Sequence, residues 1–466
     1  MAVPASDTAA VSVPPAAALR CPQCLGDARL ERAGDGWHCS RCLTTYPRLG
    51  GLLWLLPAPQ ARIVEWRQRF RLLENELQAG RQALESQLAA PGLAAPTRRR
   101  LERLRDGQAA QLDELRALLA PLEPEASIAR LETLLALRTR TPLTQDFSSY
   151  YVNVHRDWVW GEAENQASLR LVQDLLQGTA PGRLLVAGAG AGRLAYDVHQ
   201  TLQPELTLGL DINPLLAWVA ARVSAGEEVD LHEFPVAPRQ GGDVALARRL
   251  RAPAAARAGL GFVIGDALRA PLLDGWFDTV LTPWFVDIVP QPFAQVAAQL
   301  AARLRGGGIW VNFGSLSFNQ RDPALCHGPE EVLALLEGAG FEVLCVHERE
   351  LPYLQSPASR HGRIERVFGF AARLRAMAAA PAVLDNLPDW LADAALPVPQ
   401  LAYFQTQALA NRIFAFTMAL IDGRRSIRQI AAYLVEQKLL LPHEAEGAVR
   451  SFLVALYEES QRRARF

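Results

Sequence analysis

Two groups of residues in this 466-residue chain have the types and spacing for chemistry. In the first, an apolar run at 184–187 leads into Gly188, Gly190 and Gly192, followed by the helical pattern Arg193-Leu-Ala-Tyr-Asp-Val-His199. A strand, a glycine turn and a helix start form a βα unit that can cradle a nucleotide, because glycine lets backbone approach a ligand where a Cβ would collide. Apolar strands often end in glycine without a ligand, so the partners that follow decide. Asp211 ends the apolar segment 206–210, and Asp266 follows the segment 261–264. The second group is Cys21-Pro-Gln-Cys24 and Cys39-Ser-Arg-Cys42. Two CxxC pairs across a short spacer fit four thiolates around one tetrahedral zinc with no open position, a structural site.

An acid about twenty residues beyond the glycines suits a ribose diol, since a carboxylate accepts two hydrogen bonds. Asp211 meets this requirement, as it would in a nicotinamide enzyme. Dinucleotide sites favour GxGxxG, whereas the spacing here is GxGxG, and Asp266-Ala267 adds a carboxylate for an adenine amino group. Upstream, the aromatic stretch 147–162 holds Asn153, Arg156 and Asp157. Its tryptophans are explained by packing alone, but a guanidinium can grip a carboxylate through two parallel hydrogen bonds. Adenine, ribose and an amino-acid end without phosphate describe S-adenosylmethionine (SAM). Trp284 and Phe285 can face its sulfonium by cation–π attraction, although aromatics of this kind more often pack in a core.

These residues need elements to place them. Beyond the glycines the chain alternates strands and helices to about 374, which predicts an α/β, Rossmann-like domain with a mostly parallel sheet and ligand at the carboxyl ends of its strands. Asn213-Pro214 reads as an N-cap followed by a first-turn proline. Before this domain, 1–19 reads as a disordered tail and 20–59 as a zinc ribbon resting on the apolar segment 45–56. Residues 60–142 read as a helical hairpin, with helices at 63–89 and 97–119 separated by Pro91 and Pro96. Leu101, Leu104, Leu112, Leu115 and Leu118 give it an apolar stripe suited to a spacer or a dimerisation arm. The tail, 385–466, reads as a helical, winged-helix-like module that packs or binds a peptide. Half of the residues are hydrophobic and the net charge is −1, giving no global attraction to nucleic acid or anionic membrane. No signal-peptide pattern or membrane-length apolar run is present, and the expectation is a cytoplasmic protein.

Over 147–374 the chain resembles the carnosine N-methyltransferase family of class I SAM-dependent methyltransferases. The likeness rests on Arg156-Asp157-Trp158, the run 186–195 through the glycines, Gly209-Leu-Asp-Ile-Asn-Pro214, Leu231-His-Glu-Phe-Pro235, Trp284-Phe-Val-Asp287 and Gly307-Gly-Ile-Trp-Val-Asn312. The front segment also looks like the zinc ribbon of some methyltransferases. The resemblance implies a methyltransferase domain at 143–376 and a SAM site lined by Asn153, Arg156, Gly188, Asp211, Asp266, Ala267 and Pro283, with Gly190 and Gly192 completing the loop. It implies methylation of an imidazole nitrogen in a histidine-containing dipeptide. This sequence departs from the family where Phe318-Asn319 replaces a histidine and Arg363-Ile-Glu365 replaces tyrosines. Asn319 and Arg363 are therefore the expected acceptor contacts, and the acceptor itself stays open. Asp287 is the candidate catalytic carboxylate, to orient or deprotonate the acceptor, or else a residue that caps the helix after Pro290 or fixes the loop.

The leading expectation is N-methylation of an imidazole or amine on a small molecule or peptide. A second is an RNA or protein methyltransferase that holds its substrate through the ribbon or the C-terminal module, with near-neutral charge against RNA. A third is a SAM-binding scaffold without catalysis. A homodimer or peptide partner through the hairpin or the C-terminal module is the expected assembly.

Overall fold

The computed structural model describes residues 18–24, 28–122, 146–318, 320, 322–376, 395 and 397–461. The chain divides into two compact units, 1–381 and 382–466. Most of the expected tail lies outside the described residues, but Ala18 and Leu19 are fully buried, and Leu19 bridges to Leu272.

In the first unit, β1 (Leu30–Ala33), β2 (Gly36–Cys39) and β3 (Thr45–Tyr46) form a small antiparallel sheet carrying the cysteine pairs. β4 (Arg48–Leu49) and β5 (Leu52–Leu55) then leave the ribbon and join the main sheet. That sheet continues through β6 (Arg183–Ala187), β7 (Leu206–Asp211), β10 (Leu260–Gly265), β11 (Phe277–Pro283), β12 (Leu304–Gly314), β13 (Phe341–Tyr353) and β14 (Arg363–Leu374). Its order is β13-β14-β12-β11-β6-β7-β10-β5-β4. β5, β10, β7, β6, β11 and β12 run parallel, and β14, β13 and β4 pair antiparallel to their neighbours. An antiparallel hairpin, β8 (Val229–Glu233) with β9 (Leu246–Leu250), stands apart from the sheet.

The Rossmann-like expectation holds, and one element moves. Residues 45–56 were expected to serve the ribbon, yet β5 pairs parallel with β10 and is buried on both faces. Leu52 and Trp54 face the core beneath Trp218, while Leu53 and Leu55 face the core of the ribbon and Leu19. An unbroken apolar run, rather than an alternating one, is what a strand covered on both faces requires. The ribbon is thereby anchored to the strand that ends beside Asp266.

The helical hairpin, Pro59–Ala89 and Ala95–Leu119, forms where the sequence places it. Its stripe is buried within this chain: Leu112, Leu115 and Leu118 enter the main core, and Leu101 and Leu104 pack with Leu84 and Val244. That packing leaves the stripe no free face for a second copy. Glu114 accepts the His232 backbone N–H at 2.8 Å and pairs with its ring Nδ1 at 2.7 Å, fixing the hairpin to β8.

The second unit contains helices Ala402–Ala419, Ile427–Glu436 and Ala445–Gln461. Ser426 caps the middle helix in a reciprocal box with Gln429, and Ile430, Leu434, Ala445 and Val449 form a small core. Among its described residues there is no strand, so the wing of the expected winged helix is not found there. No described helix is long and apolar enough to cross a membrane.

His155 ends the short helix Tyr151–His155 at 1% exposure. Tyr151 meets it edge-on, and the Arg248 guanidinium disfavours a proton on it. Neither ring nitrogen makes a hydrogen bond among the described residues, though the nearby His232 backbone favours a proton there. Burial pushes its pKa down to about 3. The native state therefore holds it neutral while the unfolded chain takes a proton below its ordinary value near 6.5. This contribution is intact above pH 6.5 and is lost as pH falls toward 3, amounting to roughly 2 kcal/mol at pH 5. Urea unfolding of wild type and His155→Leu between pH 7.5 and 5 should show the wild type losing more stability on acidification. Parallel pH dependences would contradict this assignment.

Candidate cofactor and acceptor site

Strand order reverses at β6: β7 and β10 lie on one side and β11 and β12 on the other. In doubly wound sheets ligands bind outside the carboxyl ends of the strands at such a switch point. The glycine loop follows β6 and Pro283 ends β11, so both sides of this crevice come from predicted segments.

All three loop glycines have positive φ. A Cβ on Gly192 would lie 2.6 Å from the Ala220 Cβ and 3.0 Å from Phe262, so this glycine permits close packing of helix Arg193–Leu202. A Cβ on Gly190 would meet nothing within 4 Å, so its open side faces space rather than protein. The Gly188 face is covered by Phe285, which is buried; of the two aromatics considered for the sulfonium, only Trp284 stays half exposed.

The Gly190 N–H donates to Asp211 Oδ2 at 2.7 Å, and the Asn213 N–H donates to Oδ1 at 2.9 Å. With about four lone-pair sites and backbone donors at Gly190, Asn213 and Ile212, this carboxylate keeps acceptor capacity for a ribose hydroxyl. Burial raises the Asp211 pKa, while these backbone hydrogen bonds pull it down. Asn213 caps the helix Pro214–Ser224 through Leu215 N at 3.1 Å, as its sequence implies. Asp266 accepts Leu268 N at 2.9 Å through Oδ1, and its pKa is also raised by burial. Ala267 opens the short 3-10 turn beside it.

Arg156 lies in the π-helical turn Arg156–Trp160. Its Nε donates to Asp157 at 2.7 Å and its Nη1 to Glu164 at 2.8 Å. Burial alone would lower its pKa, but Asp157 and Glu164 outweigh that and raise it, keeping the guanidinium charged. The bonds to Asp157 and Glu164 use the N–H of Nε and one N–H of Nη1, so the second N–H of Nη1 and both of Nη2 remain for a ligand, enough for the two-bond grip read from the sequence. Asn153 lies half-buried one turn before it. Glu164 also accepts the Leu354 N–H at 2.9 Å, joining Arg156 to the loop after β13.

Asp287 is 3% exposed and accepts Ser315 Oγ at 2.8 Å and Ser317 N at 2.9 Å, both through Oδ2. It fixes the 315–317 loop. The helix Phe293–Arg303 starts without a side-chain cap, so Asp287 does not cap it. Pro283 leads into Trp284, whose φ of 51° is left-handed for a tryptophan. That turn sets the Trp284 ring edge-on to Tyr353 at 4.9 Å. Such backbone costs on the order of 1–3 kcal/mol and gathers at functional sites.

Two tyrosines here escaped the sequence reading. Tyr150 also has a left-handed backbone, and burial, then Tyr353, Asp287 and Asp211, raise its pKa. Tyr353 feels burial first and then Arg156 and Arg363, with Glu164 and Glu365 opposing those two. The Arg363 guanidinium stacks over the Tyr353 ring at 4.5 Å and pairs with Glu365. Tyr353 ends β13, a place that no local sequence signal marked. Phe318 meets His327 edge-on at 5.7 Å, and Asn319 lies outside the described residues.

The four cysteines converge as their spacing predicts. All four sulfurs lie within 4.8 Å of one another, with Cys21–Cys42 at 3.6 Å and Cys24–Cys39 at 3.9 Å. A tetrahedron with metal–sulfur bonds near 2.3 Å has edges of about 3.8 Å. Disulfide sulfurs would sit at about 2.05 Å.

No family model matches the sequence, and no curated protein matches it. Solved structures similar to it include the N-methyltransferase NodS of Bradyrhizobium japonicum with S-adenosylhomocysteine, at 14% identity and TM-score 0.33, covering 49% of this chain and 97% of NodS. A SAM-dependent methyltransferase of Thermotoga maritima is 16% identical at TM-score 0.29, covering 49% of this chain and 94% of its own. The [4+2]-cyclase SpnF is 14% identical at TM-score 0.32, covering 46% and 83%. At these identities and scores they add nothing to what the sheet order and the site residues establish.

Gly192→Ala should destabilise the fold by about 1–3 kcal/mol through overpacking and strain, measured by chemical unfolding. Gly190→Ala should cost less and act mainly on ligand binding. Equal losses of stability would contradict the distinct roles of the two glycines.

Proposed function

We propose that the first unit is a SAM-dependent methyltransferase, and that its acceptor is an imidazole or amine nitrogen of a small molecule or peptide. The observation that carries this reading is the pair Asp211 and Asp266 at the ends of neighbouring strands, beside the open face of Gly190. Asp211 would hold the ribose diol, Asp266 with Ala267 the adenine, and the remaining Nη1 and Nη2 donors of Arg156 with Asn153 the amino-acid end. When bound, SAM supplies an electrophilic methyl group on a sulfonium. This chain's part is to hold the acceptor in line and stabilise the positive charge that develops on its nitrogen. Asp287 Oδ1 is left over after Oδ2 has fixed the 315–317 loop, and it would accept the acceptor's N–H proton. Trp284, Tyr150 and Tyr353 would enclose the acceptor ring and exclude water. Asn319 and Arg363 remain proposed acceptor contacts, with Arg363 acting through its stack on Tyr353.

Isothermal titration with SAM should show binding that Asp211→Asn weakens at least tenfold. Asp287→Asn should keep SAM affinity and lose roughly a hundredfold or more in methyl transfer, followed with labelled SAM and mass spectrometry of extract metabolites and peptides. SAM binding without any labelled product would support the scaffold reading instead.

The cysteine cluster, in the same reading, holds one structural zinc through Cys21, Cys24, Cys39 and Cys42. Elemental analysis should find about one zinc per chain, lost in Cys39→Ser. Because β5 borders the strand ending at Asp266, that variant should also bind SAM more weakly. A stoichiometry near zero in the wild type would overturn the zinc assignment.

A further inference from the structure

A groove of about 470 Å³ opens between the loop after β8 and the loop joining β13 to β14. Nothing in the cofactor site uses it, and its volume falls within the roughly 300–1,000 Å³ of small-ligand sites. Arg239, Gln240, Asp243 and Arg248 line one wall, and Pro357 and Ala358 line the other. The two walls are fastened together. Arg239 N donates to Ala358 O at 3.0 Å, Arg360 N to Ala237 O at 2.7 Å, and Arg239 Nε to Ser359 O at 3.2 Å. The Arg360 guanidinium spans the carbonyls of Pro238 and Arg239 at 2.8 and 2.6 Å. Below them, Glu233 is buried and accepts both Arg248 Nε and Ser356 Oγ.

This fastening holds two guanidiniums at the groove with donors to spare. Arg239 spends only Nε and Arg248 only Nε, so both Nη atoms of each are free among the described residues. Arg103, on the helical hairpin, lays its guanidinium against Gly242 nearby. The opposing carboxylate in the lining is Asp243, which accepts Gln240 N and Nε2 at 3.2 and 3.4 Å. Planar guanidiniums with free paired donors suit carboxylate and phosphate oxygens. The wall carrying Pro357 and Ala358 belongs to the loop bounded by Tyr353 and Arg363, and that loop is tied at Leu354 to Glu164 and through it to Arg156.

We propose that this groove is a second binding site, which takes a carboxylate or phosphate group on the part of the acceptor remote from the methylated nitrogen. Its identity as part of the acceptor rests on the methyl-transfer reading; its affinity for anions does not. Titration calorimetry of the full chain at low salt, with triglutamate and separately with inorganic phosphate, tests it. At least one probe should bind, and the tighter one tells carboxylate from phosphate. Arg239→Glu should weaken that probe at least tenfold, and Asp243→Asn should strengthen it, a gain that misfolding cannot mimic. SAM titrated into the same variants should bind as in wild type. If SAM binds no form of the protein while the probes behave as described, the methyl-transfer reading falls and the anion site stands. Failure of both probes to bind wild type, or wild-type affinity in both variants, overturns the proposal.

Discussion

The hydrogen bond from the Gly190 N–H to the Asp211 carboxylate, 2.7 Å long, ties the loop after β6 to the end of β7. It closes the crevice at the point where strand order reverses. Two consequences follow from it. The loop is held in a left-handed conformation that leaves the Gly190 face open, and the carboxylate is placed at that opening with acceptor capacity remaining. Asp211 is therefore structural and available at once. On the other side of β6 the buried Asp287 also both fixes a loop and keeps acceptor capacity, with Oδ2 taking both bonds and Oδ1 left over.

The additions to the sheet brace this crevice. β5 lies against β10 and anchors the cysteine ribbon next to Asp266. The helical hairpin grips β8 through Glu114 and His232, and Tyr151 reaches the His232 carbonyl at 3.0 Å from the helix that precedes Arg156. Glu164 connects Arg156 to Leu354, and Glu233 connects Arg248 to Ser356. Segments distant in sequence thus converge on the turn that carries Arg156. Buried carboxylates in such a network are tolerated because each has partners that offset its desolvation.

Much of this was legible in the sequence. The glycine spacing, the acids at the ends of two strands, the Asn213 cap and the CxxC pairs each express a local rule, and local rules survive folding. What was missed depends on pairing between distant segments. Leu52–Leu55 has the unbroken apolar pattern of a doubly covered strand, but nothing local says that its neighbour is β10. The ion pairs of Arg156 were not legible, because its adjacent Asp157 and the more distant Glu164 carry no sign that they point at it. Tyr353 reaches the site only because β13 runs on to residue 353, pairing Tyr353 with Arg363 at the far end of the hairpin.

The most direct measurement is a crystal structure with S-adenosylhomocysteine. The account predicts ribose hydroxyls on Asp211, the adenine amino group on Asp266, and the amino-acid end at the Arg156 guanidinium, with Asp287 Oδ1 facing the sulfur side of the ligand. A ligand bound away from the Gly190 loop, or one that leaves Asp211 uncontacted, would contradict it.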